Sequence, residues 1–299
     1  MKTRNEIRIR DPFVLPHEGV YYLYGTIGEP QARELYVLRS RDLENWEEPT
    51  VVYTLREDSW AAGQLWAPEV HLYRGRFYLF HTMLIKDTKA IRGVEISVAD
   101  HPMGPFLPIS DRPVTPEGRS CIDGSLYVED GRPYMVYSHD WPDCYREELD
   151  AYVGEIEAVE LSEDLSHTVG EPFLLFTSKD APLSGEHPTH CRWGGKEIVR
   201  YGSDAPFVHR MKDSRLCLLW SPIPEGTYVV FGAIASSIQG PWQHLDAPIF
   251  GENGGHPMTF TDFDGKLRMS IHYPEIYFHE NPRFLTLEEK NGLLVHTEN

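Results

Sequence analysis

The chain has 299 residues, of which 41% are hydrophobic, 12% aromatic and 25% charged. This is a globular composition, so extended disorder is excluded. The length allows two ordinary domains or one large all-β domain. The 28 basic and 46 acidic side chains give a net charge of -18, which argues against nucleic acid and anionic membranes as partners and suits a neutral ligand such as a sugar.

The start of the chain, Met1-Lys2-Thr3-Arg4-Asn5-Glu6, lacks the apolar core of a signal peptide. No apolar run approaches the length of a membrane span. The four cysteines are widely spaced and form no C-x-x-C pair. We therefore expect a cytoplasmic protein with reduced thiols; the alternative is a secreted protein whose leader has been removed.

The first structural signal in the chain is a β-hairpin. Asp11-Pro12-Phe13-Val14 opens a short apolar run, His17-Glu18-Gly19 provides a turn, and residues 21–26 form an aromatic-rich run that ends in small polar residues. Asp11 stands beside apolar neighbours, where a carboxylate needs a partner or a function.

This layout recurs four more times along the chain. Each opening is followed by a turn, a second β-run and a third β-run, and the unit length is roughly 50 residues. Five such units predict an all-β, five-bladed β-propeller that forms a single domain over residues 1–299; a β-sandwich is the alternative. The later openings are Ala67-Pro68-Glu69-Val70, Asp123-Gly124-Ser125-Leu126, Ala205-Pro206-Phe207-Val208 preceded by Asp204, and His256-Pro257-Met258-Thr259.

Two connecting segments carry further predictions. Residues 178–202 are the longest segment without a regular pattern, and we expect them to lie over the mouth of the channel. Residues 4–9 are expected to lie beside the last blade and to supply or close its outer part.

If the five openings are the innermost strands, their first residues converge at one end of the channel. The ring then contains Asp11, Ala67, Asp123, Asp204 and His256. Like charges held close together raise one another's pKa, so three aspartates at equivalent positions of a repeat are hard to explain structurally. Together with the neighbouring Trp66 they indicate a site.

The motifs at these openings, taken in order over nearly the whole chain, resemble glycoside hydrolase family 43. The resemblance implies a five-bladed propeller and an inverting glycosidase, often acting on α-L-arabinofuranosides or β-D-xylosides. The motifs are Arg10-Asp11-Pro12, Trp66-Ala67-Pro68-Glu69-Val70, Ile122-Asp123-Gly124-Ser125, Ser203-Asp204-Ala205-Pro206-Phe207 and Gly254-Gly255-His256.

The resemblance implies roles for the three aspartates. Asp11 matches the general base, and Asp123 matches the residue that adjusts the pKa of the acid and orients it. Asp204 stands where the family carries the general acid, usually Glu in a Glu-Gly-Pro motif, and Ala205 replaces the glycine. Aspartate is one methylene shorter, which leaves three alternatives: a subgroup that uses Asp204, proton supply by Glu197, or loss of activity.

Substrate-binding candidates surround these residues in the sequence. Trp66, Phe13 and Trp141 are candidates for apolar walls against a sugar face, and packing within the blades is the alternative for each. Glu69 is a candidate for binding sugar hydroxyls or for pairing with a basic neighbour. Glu197 lies in the segment before the fourth opening and is a candidate subsite residue.

The last blade adds two more candidates. Arg283 corresponds in position to an arginine that reaches the sugar in relatives, with a surface strand position as the alternative. His256 resembles the fifth-blade histidine that lies near a bound calcium or water in some family members, so it is the candidate metal residue. No cofactor is expected to be required, although calcium can be structural in such a channel.

The function expected from these residues is that of an exo-acting inverting α-L-arabinofuranosidase on plant-type oligosaccharides. A β-D-xylosidase and an exo-galactan-directed glycosidase are alternatives within the enzymes. A catalytically silent carbohydrate-binding propeller is the alternative from another class, motivated by the missing glutamate. The expected partner is an oligosaccharide, with no nucleic acid and no membrane.

Overall fold

The computed structural model describes residues 1–27 and 32–297 and is built almost entirely of β-strands. The predicted all-β, five-bladed propeller is confirmed, with one small sheet in addition. The first blade contains Arg10–His17, Val20–Thr26 and Glu34–Ser40. Both Thr50–Thr54 and Asn45–Trp46 pair with Glu34–Ser40, and Lys2–Thr3 pairs with Asn45–Trp46. The second blade contains Ala61–Tyr73, Arg76–Ile85, Arg92–Ala99 and Leu107–Pro108.

The last three blades follow the same four-strand plan, in which consecutive strands pair antiparallel. Their strands are Cys121–Glu129, Arg132–His139, Glu155–Leu161 and Thr168–Thr177; Ser203–Arg210, Leu216–Pro222, Phe231–Ala235 and Gln243–His244; Gly255–Thr261, Leu267–Tyr273, Asn281–Lys290 and Leu293–Thr297.

The inner strands of the five blades contact one another in chain order, and the first inner strand also contacts the last. The apolar core lies within and between the blades. Its largest fully buried side chains include Trp46, Tyr24 and Phe80 in the first two blades and Trp220 and Phe231 in the fourth. Removing this apolar surface from water is the main force that holds the blades together.

Every inner strand contains a bulge at an equivalent position. One residue there has a left-handed backbone, and the register of the inner hairpin shifts across it. The residues are Asp11 (φ 52°), Ala67 (φ 45°), Asp123 (φ 56°), Ala205 (φ 55°) and His256 (φ 61°).

This repeat corrects one prediction. Asp11, Asp123 and His256 occupy equivalent positions as expected, but in the fourth blade the equivalent residue is Ala205. Asp204 therefore lies one residue before the position of Asp11 and Asp123. The sequence comparison placed it in the ring because Asp204 and Ala205 both fall at the opening.

The bulges also join neighbouring blades. The backbone N–H of each left-handed residue is not used by its own hairpin and donates instead to a side chain of the preceding blade, which satisfies a buried polar group. These five bonds are 2.9–3.2 Å long. The N–H of Asp11 donates to His272 Nδ1, that of Ala67 to Thr26 Oγ1, that of Asp123 to Thr82 Oγ1, that of Ala205 to the Asp123 carboxylate, and that of His256 to Ser221 Oγ.

The prediction that residues 178–202 are irregular is wrong, although the segment does reach the cavity at the channel mouth. Its backbone hydrogen bonds are satisfied by a short helix, Pro182–Glu186, and by two strands of a sixth sheet. The strands of this small sheet, in spatial order, are Tyr145–Arg146, Ala151–Val153, Lys196–Tyr201 and Thr189–Trp193.

Short 3₁₀ turns complete the fold at Arg4–Glu6, Trp141–Asp143, Glu147–Leu149 and Pro224–Gly226. The N-terminal segment contacts the last blade through hydrogen bonds from Asn281 to the Asn5 and Ile7 carbonyls. It supplies no strand there, because Lys2–Thr3 pairs in blade one and Leu293–Thr297 forms the outer strand of blade five. Over residues 1–27 and 32–297, no helix has the length and apolar character needed to cross a membrane.

Candidate active site

A cavity of roughly 630 Å³ opens at the end of the channel where the inner strands begin. It is lined by Asp11, Asp123, Asp204 and His256, so four of the residues selected from sequence come together. Trp66 also lines it.

Asp11 is held by partners on several sides. The His256 Nδ1 atom lies 3.1 Å from one carboxylate oxygen, and the hydroxyl of Thr26 donates to the other at 2.6 Å. Burial alone would raise the pKa of Asp11, but His256 and Arg10 outweigh it and hold that pKa well below its ordinary value. These surroundings therefore favour the ionised form of Asp11.

A second layer fixes these partners. His272 accepts the Asp11 N–H on Nδ1, so its proton is on Nε2, which donates to Glu275. Arg10 is paired with Glu275 at 3.0 Å and with the buried Glu280 at 2.6 Å. The Asp11 carboxylate is thus fixed in place by a network that was not visible as a motif in the sequence.

The pKa of Asp123 is shifted in the opposite direction to that of Asp11. One of its carboxylate oxygens accepts the Ala205 N–H at 3.0 Å. Burial raises the pKa of Asp123 to about 8, with further increases from Asp204 and Asp11 and opposition from His256.

Asp204 shares this environment. Burial raises its pKa, Asp11 and Glu275 raise it further, and His256 and Arg200 oppose the shift. The cavity therefore holds one carboxylate with a lowered pKa, Asp11, together with carboxyl groups whose pKa is raised. Acid–base catalysis commonly uses two titratable groups whose pKa values are shifted in opposite directions by their environments, one as the general acid and one as the general base.

Sequence reasoning missed Asp140, which also lines the cavity. Burial and then the charge of Asp204 raise its pKa to about 7, whereas Arg92, 3.7 Å away, lowers it. The sequence signal that could have identified Asp140 was its position directly after a β-run and before Trp141. Arg92 was missed as well; its guanidinium lies 4.3 Å from the Trp66 ring centre.

His139, just before Asp140, lies between two carboxylates, Asp143 at 3.0 Å and Glu155 at 2.9 Å. Its pKa is raised to about 11, because hydrogen bonds, first to Asp143, outweigh the lowering by burial. Among the residues that the structure describes, His139, Cys144 and Glu155 form the one group of three donors whose ligand atoms lie within 4.8 Å of one another. Arg119, 3.7 Å away, and Arg146 already pair with the Glu155 carboxylate.

The metal prediction concerns His256, whose Nδ1 is engaged with Asp11. A cation on this nitrogen would compete with that contact. The calcium prediction itself stays a prediction, and the mechanism below uses none.

Several other selected residues lie elsewhere. Phe13 packs its ring edge-on against His71 at 5.1 Å, and Glu69 is buried and paired with the same histidine. Arg283 is exposed and stacks on Tyr273. Of the described residues, these three and Glu197 are outside the set that lines the cavity. Phe13 is thus a buried packing residue and Arg283 lies at an exposed strand position, and their roles in substrate binding stay predictions.

Glu197 is an exposed residue of the small sheet and lines a second cavity. This position favours Asp204 over Glu197 as the source of a proton near Asp11. The cavity wall that sequence reasoning did not find comes from Arg200 and Trp193 of the small sheet and from Tyr277 and Phe278 of the last blade.

A five-bladed propeller whose cavity combines a carboxylate of lowered pKa with carboxyl groups of raised pKa has the groups that glycoside hydrolysis needs. The chain matches Glycosyl hydrolases family 43 over residues 5–273. It belongs to this family and is a glycoside hydrolase.

Individual relatives agree with the assignment. A xylosidase/arabinosidase of Bacteroides ovatus is 25% identical and is matched over 94% of this chain and 95% of its own length. The crystal structure of an endo-arabinase from Bacteroides thetaiotaomicron VPI-5482 is 33% identical with a TM-score of 0.85, over 97% of this chain and 98% of its own. A thermostable family-43 glycoside hydrolase, 24% identical with a TM-score of 0.84 over 100% of this chain and 96% of its own, shares the fold.

Proposed function

We propose that this protein is an inverting, exo-acting α-L-arabinofuranosidase, with Asp11 as general base and Asp204 as general acid. The observation that carries the proposal is the pairing, in one cavity, of a carboxylate with a depressed pKa and a carboxyl group with a raised pKa. The arabinose preference is supported by the names of the relatives, an endo-arabinase and a xylosidase/arabinosidase.

In the reaction, Asp11 accepts a proton from a water molecule while that water forms a bond to the anomeric carbon. The bond from that carbon to the leaving oxygen breaks on the other face of the sugar, and Asp204 gives its proton to this oxygen. Such a pair is ordinarily separated by roughly 6.5–9.5 Å, which leaves room for the water. The released sugar therefore has the anomeric configuration opposite to that of the substrate.

The surrounding groups support these roles. His256 and Thr26 orient the Asp11 carboxylate, and His272 holds its backbone. Asp123 adds a carboxyl group beside Asp204, so that loss of a proton from one raises the pKa of the other. We assign Asp123 to this adjustment and to holding the strand that carries the acid.

Xylosides are the second candidate, because the Bacteroides ovatus relative is named for both sugars. An NMR time course on a panel of arabinosides, xylosides and galactosides tests both points, since it reports the sugar that is released and the anomer that appears first. We expect release of β-L-arabinose from α-L-arabinosides. Initial release of the α-anomer would overturn inversion, and exclusive cleavage of xylosides would overturn the sugar assignment.

A further inference from the structure

The small sheet carries a row of aromatic rings that begins at the catalytic cavity. Trp141 and Trp193 line that cavity, and their ring centres are 5.4 Å apart. Tyr152 lies 5.7 Å from Trp193, and Tyr145 lies 5.1 Å from Tyr152. The row therefore leads from the catalytic cavity onto the surface of the sheet.

Two rings of this row, one at each end of the exposed part, are unusually exposed for their size. Trp193 has 40% and Tyr145 has 50% of its surface in contact with solvent. Contiguous exposed aromatic surface of this kind commonly marks a binding site. The rings are also held in place, since the Tyr145 hydroxyl donates to Asp150 at 2.8 Å, so binding would cost little side-chain entropy.

Next to this row lies a second cavity of roughly 450 Å³. It combines the faces of Tyr145 and Tyr152 with polar groups of both signs, including Asp150, Lys196 and Glu197. Mixed donors and acceptors beside flat apolar rings suit a neutral ligand with hydroxyl groups and apolar faces, as in a sugar, rather than a strongly charged partner.

The position of the aromatic row next to Asp204 indicates which part of a substrate the row would contact. Strand Lys196–Tyr201 of the small sheet leads directly into the strand that carries Asp204. Arg200, on that first strand, acts electrostatically on Asp204 and stacks on Trp141 at 4.8 Å. The general acid contacts the leaving oxygen, so the leaving part of the substrate passes the side of the cavity formed by this sheet.

We propose that the small sheet is a binding platform for the leaving oligosaccharide chain, with Trp193 nearest the bond that is cleaved and Tyr145 farther out. This inference rests on the proposed function, because it takes Asp204 as the acid. It makes the substrate an oligosaccharide or polysaccharide with several sugars on the leaving side, and it places the Glu197 carboxylate at the edge of this platform.

The test is a chain-length series. For arabino-oligosaccharides of increasing length, kcat/KM is measured in the parent, Tyr145→Ala, Tyr145→Phe and Phe263→Ala. Phe263 is the matched control, since it is an exposed aromatic in the turn at the far end of its inner strand, away from the cavity.

We expect Tyr145→Ala to lower the ratio of kcat/KM for long to short substrates about tenfold, the equivalent of losing one good contact. Tyr145→Phe, which keeps the ring, should restore most of the ratio, and Phe263→Ala should leave it at the parent value. An unchanged ratio in Tyr145→Ala would overturn the platform. A loss of equal size on every substrate would also overturn it, because it would show damage to the fold.

Calorimetric binding of the same oligosaccharides to Asp11→Asn and to Asp11→Asn with Tyr145→Ala separates this inference from the proposed function. If no arabinoside is cleaved but affinity rises with chain length and this rise needs Tyr145, the platform stands and the reaction is wrong. If arabinosides are cleaved and neither affinity nor rate depends on Tyr145, the reaction stands and the platform is wrong.

Discussion

The two sides of the catalytic cavity treat buried carboxyl groups in opposite ways. On one side, the charges of His256 and Arg10 outweigh burial and hold the pKa of Asp11 low. On the other side, burial outweighs the opposing charges of His256, Arg200 and Arg92, and the pKa values of Asp123, Asp204 and Asp140 rise. All of these groups are aspartates, so their surroundings, and not the residue type, decide which one is suited to act as base and which as acid.

The largest expected effect comes from removing the ionised side. Asp11→Asn keeps the size of the side chain and removes the base, so turnover should fall by about 10²–10⁴-fold. The loss should be equal on aryl glycosides and natural oligosaccharides, because water must be activated in both. Turnover like that of the parent, in a variant whose thermal unfolding is normal, would remove Asp11 from the mechanism.

Asp204→Ala tests the protonated side. A sugar alkoxide needs a proton as it leaves and a nitrophenolate hardly does, so cleavage of oligosaccharides should fall by about 10²–10⁴-fold while activated aryl glycosides are largely spared.

Asp140→Asn is the matched variant for this experiment, because Asp140 lines the same cavity and also has a raised pKa. It should affect both classes of substrate to a similar extent. If the dependence on the leaving group follows Asp140 instead of Asp204, the acid has been assigned to the wrong residue.

The charge network on the Asp11 side can be tested through stability. The Arg10 side chain is 25% exposed and pairs with Glu280, which is 3% exposed, so Arg10→Met leaves a buried carboxylate without its partner. The free energy of unfolding should fall by about 3 kcal/mol in urea titrations.

Arg39→Met is the control for this measurement. Arg39 and Glu47 are 42% and 50% exposed, and removing an exposed ion pair should change the free energy of unfolding by less than about 1 kcal/mol. Equal effects of the two substitutions would show that the Arg10 pair is not structurally important.

The smallest expected effect is a shift in the pH profile. Arg200 lowers the pKa of Asp204, so Arg200→Gln should raise it. Because the acid works in its protonated form, activity falls as pH rises through that pKa, and the alkaline limb of kcat/KM should move to higher pH. A limb that stays in place or moves to lower pH would contradict the electrostatic coupling between the two residues.

Much of this architecture could be predicted from the chain alone. The repeated hairpin openings located the five blades, and the position of Asp11, Asp123 and His256 at those openings brought them correctly to one cavity. The prediction worked because each blade repeats a local pattern, in which the strand start fixes the end of the channel that a residue reaches.

The remaining parts depend on contacts that no local pattern records. Arg10 and Glu280 are far apart in sequence, and Asp140 differs from many other aspartates only through its burial beside Arg92. The small sheet was missed because Ala151–Val153 and Lys196–Tyr201 pair across a long intervening segment. Asp204 was placed one residue out of register because sequence alone does not show which residue adopts the left-handed backbone.

The hydrogen bond from the Ala205 N–H to Asp123 has a consequence for how this enzyme can evolve. At the other four junctions, a threonine, serine or histidine accepts the corresponding bond, whereas here the acceptor is a carboxylate of the site. A substitution of Asp123 therefore alters chemistry and the joint between two blades at once. Selection on activity and selection on folding act on the same carboxylate at this junction, so drift here should be slower than at Thr82 or Ser221.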